Sequence, residues 1–110
     1  MKHKIIIYHN PQCSKSRQSL ELLKSKGLEP EIIEYQKVGF TKHQLKDLLK
    51  KLNLSARDIL RDHSEVFDEA PEEIILDMMV ANPSVVQRPI IVKGEKAVIG
   101  RPPENILKLI

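Results

Sequence analysis

Apolar residues near the start of the chain follow first a strand pattern and then a helix pattern. Three consecutive isoleucines dominate residues 4–8, which predicts a buried strand that ends in a turn. Leucines between residues 20 and 23 indicate one face of a helix, which is expected to end in a basic turn before Gly27. A second strand is predicted over residues 31–35. Strand, helix and strand in this order imply two parallel strands joined by a right-handed crossover.

A second helix is predicted from both its start signal and its apolar spacing. Thr41 and Gln44 have the spacing of a capping box, in which each side chain bonds to the backbone N–H of the other residue. Four leucines between residues 45 and 52 recur at the i, i+3, i+4 and i+7 positions of one helical face. These leucines are therefore expected to lie in the core.

Two further helices are predicted on either side of a polar stretch. Ser55 and Asp58 indicate the start of a short helix that reaches about Arg61, before a polar, acidic connection over residues 62–69. Residues 71–81 begin with Pro-Glu-Glu, which is typical of a helix start, and are apolar on most sides after it. This helix is therefore expected to be largely buried.

The last third of the chain predicts a hairpin and a final helix. Residues 89–92 and 97–99 flank a turn over residues 93–96, which is typical of a β-hairpin. Residues 102–104 begin a helix whose inward-facing residues are expected to be Ile106, Leu107 and Ile110. The full order is β-α-β, a helical segment, and β-β-α. This order predicts an α/β protein with a mixed β-sheet and an inserted helical segment, which is the plan of the thioredoxin-like fold.

Composition and charge narrow the class of protein. The chain has 110 residues, enough for a single domain over residues 1–110, and 41% of them are hydrophobic and 30% charged, as in ordinary globular proteins. The net charge is +3, with basic and acidic residues interspersed, so no nucleic-acid binding is expected. The apolar run near the N-terminus is too short for a signal peptide or a membrane span, so no membrane association is expected.

The single cysteine, Cys13, lies where the first strand gives way to the first helix. One cysteine excludes an internal disulfide and favours a reducing, cytoplasmic location. At a helix start, unpaired N–H groups and the helix dipole favour the thiolate, with Lys15, Arg17 and His9 as candidate cationic partners. An isolated cysteine is more often an inert core residue, but the neighbours of Cys13 are polar. Cys13 is therefore the candidate nucleophile or redox centre.

Four segments that carry this candidate chemistry resemble one known family. They are Tyr8-His9-Asn10-Pro11-x-Cys13-x-x-Ser16-Arg17, Leu60-Arg61, Arg88-Pro89-Ile90-Ile91-Val92 and Gly100-Arg101-Pro102. In this order they resemble the active-site signature and the three further arginine-bearing segments of the glutaredoxin-dependent arsenate reductase family. The resemblance spans nearly the whole chain.

The resemblance implies a role for each matching residue. Cys13 would attack arsenate as the thiolate, and His9 would support that thiolate. Arg61, Arg88 and Arg101 would hold the oxyanion and the thioarsenate intermediate. Arginine suits this role because its planar fork of donors matches a tetrahedral oxyanion.

Four neighbouring residues are expected to shape or support the site. Ser16 is expected to cap the helix or to present its N–H near the thiolate. Arg17 is either a further anion contact or a charge on the helix face. Asn10 is expected to have a structural or supporting role, and the resemblance implies that Pro89 takes the cis form beside the cysteine.

The resemblance also implies the source of electrons. In the CxxS sequence from Cys13 to Ser16 there is no second thiol, so glutathione would serve as co-substrate and glutaredoxin would reduce the mixed disulfide. No bound cofactor is expected, and no metal site, because the histidines and Cys13 match no common metal-ligand spacing. We expect a monomer.

Two other functions are compatible with the sequence. One is a regulatory or adaptor protein of the same fold that contacts the transcription machinery, although relatives of that kind commonly carry CxxC where this chain has Ser16. The other is a thiol oxidoreductase that acts on a different substrate, such as a monothiol glutaredoxin-like protein. That function would leave the three arginine-bearing segments without a role.

Overall fold

A computed structural model describes residues 4–61 and 70–110 of the chain. The strands and helices, in chain order, are β1 (Ile5–Tyr8), α1 (Ser14–Ser25), β2 (Glu31–Ile33), α2 (Tyr35–Val38), α3 (Lys42–Leu52), α4 (Glu72–Ala81), β3 (Ile90–Lys93) and β4 (Lys96–Ile99). Short 3₁₀ helices lie at Ala56–Ile59, Pro83–Val85 and Pro103–Lys108. The acidic connection predicted over residues 62–69 lies outside the described residues.

The four strands form one mixed sheet in the order β2-β1-β3-β4. The β1 and β2 strands are parallel, as the sequence predicted, and β3 runs antiparallel to both β1 and β4. Tyr8 pairs with Ile33 and with Ile90, and Ile90 pairs with Ile99. These four residues lie side by side at one end of the four strands. We call this row of strand ends the site edge. The predicted thioredoxin-like α/β fold is confirmed.

Helices cover both faces of this sheet. One face packs against α3, α4 and the short helix Ala56–Ile59 between them, and its core includes Leu45, Leu48 and Met79. The opposite face packs α1 and the C-terminal 3₁₀ helix around Ile7 and Ile91. Because β1 and β3 are covered on both faces, they hold the loops at the site edge in fixed positions.

The second strand is shorter than predicted. It ends at Ile33, and Tyr35 begins the short helix α2, which the sequence analysis missed. Ile32 is largely exposed because β2 is an edge strand of the sheet. The chain therefore turns into α2 directly at the site edge, which places Tyr35 near the end of β1.

The helix expected from Ser55 to about Arg61 is a single 3₁₀ turn, Ala56–Ile59. The capping box of Ser55 and Asp58 is present. The helix cannot continue because the Arg61 backbone N–H donates to the Val85 carbonyl at 2.6 Å, as in a strand pair. The local capping signal thus predicted the start of this helix correctly, whereas a backbone hydrogen bond to a residue distant in the sequence determines where it ends.

Two predictions of burial were only partly right. In α4 the side chains of Ile75, Leu76 and Met79 are buried, but Ile74 is 51% exposed, because only one side of the helix faces the core. At the C-terminus Ile106 is buried, whereas Leu107 and Ile110 are exposed. That segment is a 3₁₀ helix, whose three-residue period does not bring residues 106, 107 and 110 onto one face.

Candidate active site

The turn between β1 and α1 is built by Asn10. Its side-chain Oδ1 accepts a hydrogen bond from the Gln12 backbone N–H at 3.0 Å, and its carbonyl accepts one from the Cys13 backbone N–H at 3.0 Å. This turn makes Cys13 the N-cap residue of α1. The two hydrogen bonds to Asn10 thus help to set the position of the cysteine at the start of the helix.

The Cys13 side chain is 9% exposed, and its sulfur is surrounded by donors. Burial alone raises the pKa of the thiol. Donors outweigh burial and lower that pKa to about 7. These donors are the backbone N–H of Ser16, the side chains of Arg88 and Arg101, and the backbone N–H of Lys15. The sulfur stands where an N-cap serine or threonine would place its oxygen, so the helix start itself favours the thiolate.

The β3–β4 hairpin brings two arginines to the sulfur. Arg88 comes shortly before β3 and Arg101 shortly after β4, so the pairing of Ile90 with Ile99 places both at the site edge. The Arg101 Nε donates to the Arg88 carbonyl at 2.8 Å, and its Nη2 lies 3.6 Å from the Cys13 Sγ. The Arg88 side chain is buried, and its Nη1 donates to the Ser84 carbonyl at 3.3 Å.

Two peptide bonds in this region are cis, Arg88–Pro89 and Arg101–Pro102. The first was implied by the resemblance. The Pro89 carbonyl accepts a hydrogen bond from the Gly100 N–H at 2.9 Å, which extends the hairpin toward the two arginines.

Arg61 differs from the other two candidate arginines. Its side chain is exposed, and among the described residues no hydrogen bond joins it to the sulfur. Its charge nevertheless acts on the hydroxyl of Tyr35, together with the charges of Arg88 and Cys13. All three arginines therefore influence the same small region, with Arg61 on its solvent side.

His9 reaches the site through Ser16. The His9 Nδ1 and the Ser16 Oγ are hydrogen-bonded at 2.6 Å, and the same Oγ accepts a bond from the Asn10 N–H at 3.0 Å. Burial lowers the pKa of His9, and the charges of Arg17 and Lys24 lower it further against the opposite effect of Glu34. Burial therefore disfavours the charged imidazolium form of His9. Its support of the thiolate stays a prediction, by way of Ser16.

The cationic partners expected from the neighbouring sequence are not the ones found. Arg17 donates from its Nη1 to the Pro11 carbonyl at 3.1 Å, which ties α1 to the preceding turn. Lys15 acts on the sulfur through its backbone N–H. Because the Arg17 guanidinium is bound to the Pro11 carbonyl, the charged side chains that act on Cys13 are those of Arg88 and Arg101, far along the chain.

Two residues of the site were missed by the sequence analysis. Tyr35 follows β2 at the edge where Cys13 follows β1, and parallel strands bring their carboxyl ends together. This rule could have predicted from the sequence that Tyr35 lies near Cys13. Gly100 packs so tightly that a Cβ atom there would lie 2.6 Å from the Ser19 Oγ and 2.9 Å from the Pro89 Cγ. No local pattern in the sequence indicates this close approach.

In the described residues, no three side chains of His, Cys, Asp or Glu come together in a group that could hold a metal ion. Likewise, none of the helices in residues 4–61 and 70–110 combines the length and apolar character needed to cross a bilayer.

Comparison with known proteins assigns the family. A model of the ArsC family matches residues 8–109. The chain belongs to the ArsC family. Among ArsC relatives, the uncharacterized protein YfgD of Escherichia coli (strain K12) is 42% identical over 100% of this chain and 99% of its own length. An arsenate reductase of Haemophilus influenzae is 34% identical over 96% of this chain and 98% of its own. The solved structure of an arsenate reductase from Vibrio cholerae is 32% identical, with a TM-score of 0.92 and 100% coverage of both chains.

Proposed function

We propose that this protein reduces arsenate to arsenite through a covalent adduct on Cys13, with glutathione as co-substrate and glutaredoxin as the final reductant. The observation that carries the proposal is the Cys13 sulfur, whose pKa is lowered to about 7 and which lies 3.6 Å from the Arg101 guanidinium. The names of relatives 33 to 38% identical to this chain support arsenate as the substrate.

The first step uses the sulfur as nucleophile. The Cys13 thiolate attacks arsenic, forms an S–As bond, and one As–O bond breaks, so that this oxygen leaves as water after taking up protons. Arg88 and Arg101 would hold the remaining oxygens and stabilise their charge. Arg61, on the solvent side, would help to draw the anion in.

The second step moves two electrons to arsenic. A glutathione thiolate attacks the Cys13 sulfur, so an S–S bond forms and the S–As bond breaks with its electron pair left on arsenic. Arsenic(V) thereby becomes arsenic(III), which leaves as arsenite. Glutaredoxin reduces the remaining mixed disulfide and returns the Cys13 thiolate. An external thiol is required because the chain has no second cysteine.

A cleft beside Arg101 offers room for the tripeptide. It has a volume of about 590 Å³. Its polar lining consists of Asp58, Gln87, Arg101, Asn105 and Lys108. Glutathione carries two carboxylates and an ammonium group, so it would find charges of both signs there. A monomeric protein in the reducing cytoplasm is part of this proposal, since both electron donors are found there.

The test is a coupled assay with purified protein, glutathione, glutaredoxin, glutathione reductase and NADPH. Arsenate should start NADPH oxidation by the wild-type protein, and Cys13→Ser should abolish it because serine cannot form the adduct. Ser14, the exposed residue next to Cys13, provides the matched control, so the Ser14→Ala variant should keep the wild-type activity. Omitting glutaredoxin should also stop turnover.

Two results would contradict the proposal. Turnover by Cys13→Ser would remove the sulfur from the mechanism. A folded but inactive wild-type protein would favour the adaptor function over the enzyme.

A further inference from the structure

Two buried groups near Cys13 have no hydrogen-bond partner among the described residues. They are the Tyr35 hydroxyl and the Arg88 Nε. The Tyr35 side chain is 1% exposed and that of Arg88 is 7% exposed. Buried polar groups in folded proteins nearly always have a partner, so two unpartnered groups in one place require an explanation.

Both groups belong to the region around the sulfur. The side chain of Arg88 acts on the Cys13 sulfur and also on the Tyr35 hydroxyl, and the charges of Cys13 and Arg61 act on that hydroxyl as well. Arg88 lies close enough to the Tyr35 hydroxyl to lower its pKa as a hydrogen-bond donor would, although no pair of their atoms meets the geometry of a full hydrogen bond. The hydroxyl therefore shares its surroundings with two of the three arginines, Arg88 and Arg61, and with the Cys13 sulfur.

The Tyr35 ring packs against another aromatic ring. Its centroid lies 5.2 Å from that of Phe40, in a stacked arrangement. Phe40 also contacts the ring of Tyr8, at 5.5 Å between centroids. The two tyrosines share this neighbour but differ in surroundings, because the charges that act on the Tyr8 hydroxyl are those of Lys51, Asp47 and Glu31. Tyr8 lies at the site edge and is only partly buried, but the charges around its hydroxyl belong to α3 and β2, so Tyr8 controls for the loss of a phenol hydroxyl beside Phe40.

We propose that the Tyr35 hydroxyl donates a hydrogen bond to an oxygen of the tetrahedral oxyanion that binds in front of Cys13, beside the oxygens held by the neighbouring Arg88. An oxyanion supplies the acceptor that the hydroxyl lacks, and hydrogen bonds to a charged acceptor are stronger than those between neutral groups. The reaction of that anion rests on the proposed function, whereas the binding of an anion does not.

Burial is consistent with a donor role for the hydroxyl. Burial raises the pKa of Tyr35, although the nearby guanidinium of Arg88 opposes that rise. The phenol therefore keeps its proton at neutral pH and can donate it in a hydrogen bond.

The experiment compares Tyr35→Phe with Tyr8→Phe. Each variant removes one hydroxyl and keeps the ring against Phe40. Anion binding is measured as the protection of Cys13 by sulfate, and separately by arsenate, against alkylation by iodoacetamide. In Tyr35→Phe we expect both dissociation constants to rise about tenfold or more. In Tyr8→Phe they should match the wild type.

Two readouts separate a contact from a structural role. The alkylation rate without anion should be the same in all three proteins at a pH well above the thiol pKa. The thermal unfolding midpoint of Tyr35→Phe should equal or exceed that of the wild type, because the lost hydroxyl has no partner within the described protein.

The outcomes distinguish this proposal from the proposed function. Equal protection in Tyr35→Phe and Tyr8→Phe would overturn the role of the hydroxyl, and so would a wild-type protein that no anion protects. If sulfate protects the wild type and Tyr35→Phe weakens that protection while arsenate is not reduced, the anion site stands and the reductase function fails.

Discussion

At Cys13, burial and hydrogen bonding act on the same sulfur in opposite directions. Burial raises the pKa of the thiol, and donors from the helix start and from two arginines bring it to about 7. The donors prevail because the helix start supplies N–H groups that have no other partner in the helix. The charged guanidinium groups add to this effect. A large fraction of the protein thus carries a thiolate at neutral pH.

The rate of Cys13 alkylation against pH measures this effect. In the wild type the rate should rise with pH through a midpoint of about 7 and then level off, because only the thiolate reacts. Arg101→Ala should move the midpoint upward by about 1 unit, since a cation no longer favours the thiolate. Arg17→Ala is the matched control, because Arg17 bonds to the Pro11 carbonyl. Equal shifts in both variants would show that general surface charge sets the pKa.

The sequence identified the nucleophile but not its immediate partners. Cys13 could be found because its neighbours are polar at a predicted helix start. The sequence favoured Lys15 and Arg17 as cations because they are close along the chain, yet Arg101 is the arginine at 3.6 Å. Only the resemblance indicated Arg101, because closeness in space depends on strand pairing that no local pattern encodes.

At the scale of elements, the β3–β4 hairpin decides how the arginines are arranged. Its register places Ile90 opposite Ile99, and the hydrogen bond from the Gly100 N–H to the Pro89 carbonyl continues the pairing. The absence of a side chain at Gly100 lets this end of the hairpin pack against Ser19 of α1. The hairpin and the cysteine-bearing helix are therefore held in contact at the site.

Gly100→Ala should destabilise the protein and impair the site together. The new Cβ would lie 2.6 Å from the Ser19 Oγ and 2.9 Å from the Pro89 Cγ, so the hairpin must shift. We expect a loss of about 1–3 kcal/mol in the free energy of unfolding, measured by urea denaturation, and slower arsenate turnover. Adding Ser19→Ala should recover part of that loss, because it removes the closest atom. A fully additive double variant would argue against this contact.

Elements with strong local signals were predicted well. The capping box of Thr41 and Gln44 is present, and α3 buries three of its four leucines. The hairpin was also predicted, within one residue at each strand end nearest the turn. Two of the short 3₁₀ helices, Ala56–Ile59 and Pro103–Lys108, were predicted as longer helices, and the one at Pro83–Val85 was not predicted. The end of the first is set by a tertiary contact, the bond from Arg61 to Val85.

At the scale of the whole molecule, the topology gathers distant segments at the site edge. The end of β1 supplies Cys13, the end of β2 supplies Tyr35, and the open ends of the hairpin supply Arg88 and Arg101. Each of these segments follows or precedes a strand, and the strand residues nearest to them, Tyr8, Ile33, Ile90 and Ile99, are paired side by side at the site edge. Three cationic side chains around one site should repel each other, so an anion that binds there should stabilise the whole fold.

Thermal unfolding tests this coupling. Sulfate at about ten times its dissociation constant should add about 1.4 kcal/mol of stability, which corresponds to a rise of roughly 6 °C in the Tm of a domain of this size. Sodium chloride at equal ionic strength should have a much smaller effect. In Arg101→Ala the sulfate effect should largely disappear. If sulfate and chloride stabilise the wild type equally, the effect is screening and not site binding.

The fold was predictable because the order of strands and helices restricts the topology to few choices. Side-chain burial was less predictable at the surface of the molecule. The sequence of α4 is apolar on most sides, yet Ile74 and Val80 are exposed, because within residues 4–61 and 70–110 the helix packs against the core on one side only. Tyr35 was assigned to a strand because tyrosine suits strands, and the sequence does not reveal that β2 ends two residues earlier.

The turn that joins β3 to β4 lies at the opposite end of those strands from the arginines. Gly94 adopts a positive φ of 62° there, and four residues of paired strand separate the turn from the site edge, a distance of about 13 Å. A fluorescent label or a surface tether attached at Glu95, which is exposed, would therefore lie far from the candidate active site. This turn is therefore a suitable attachment point for single-molecule experiments that follow the binding of anions at the candidate active site.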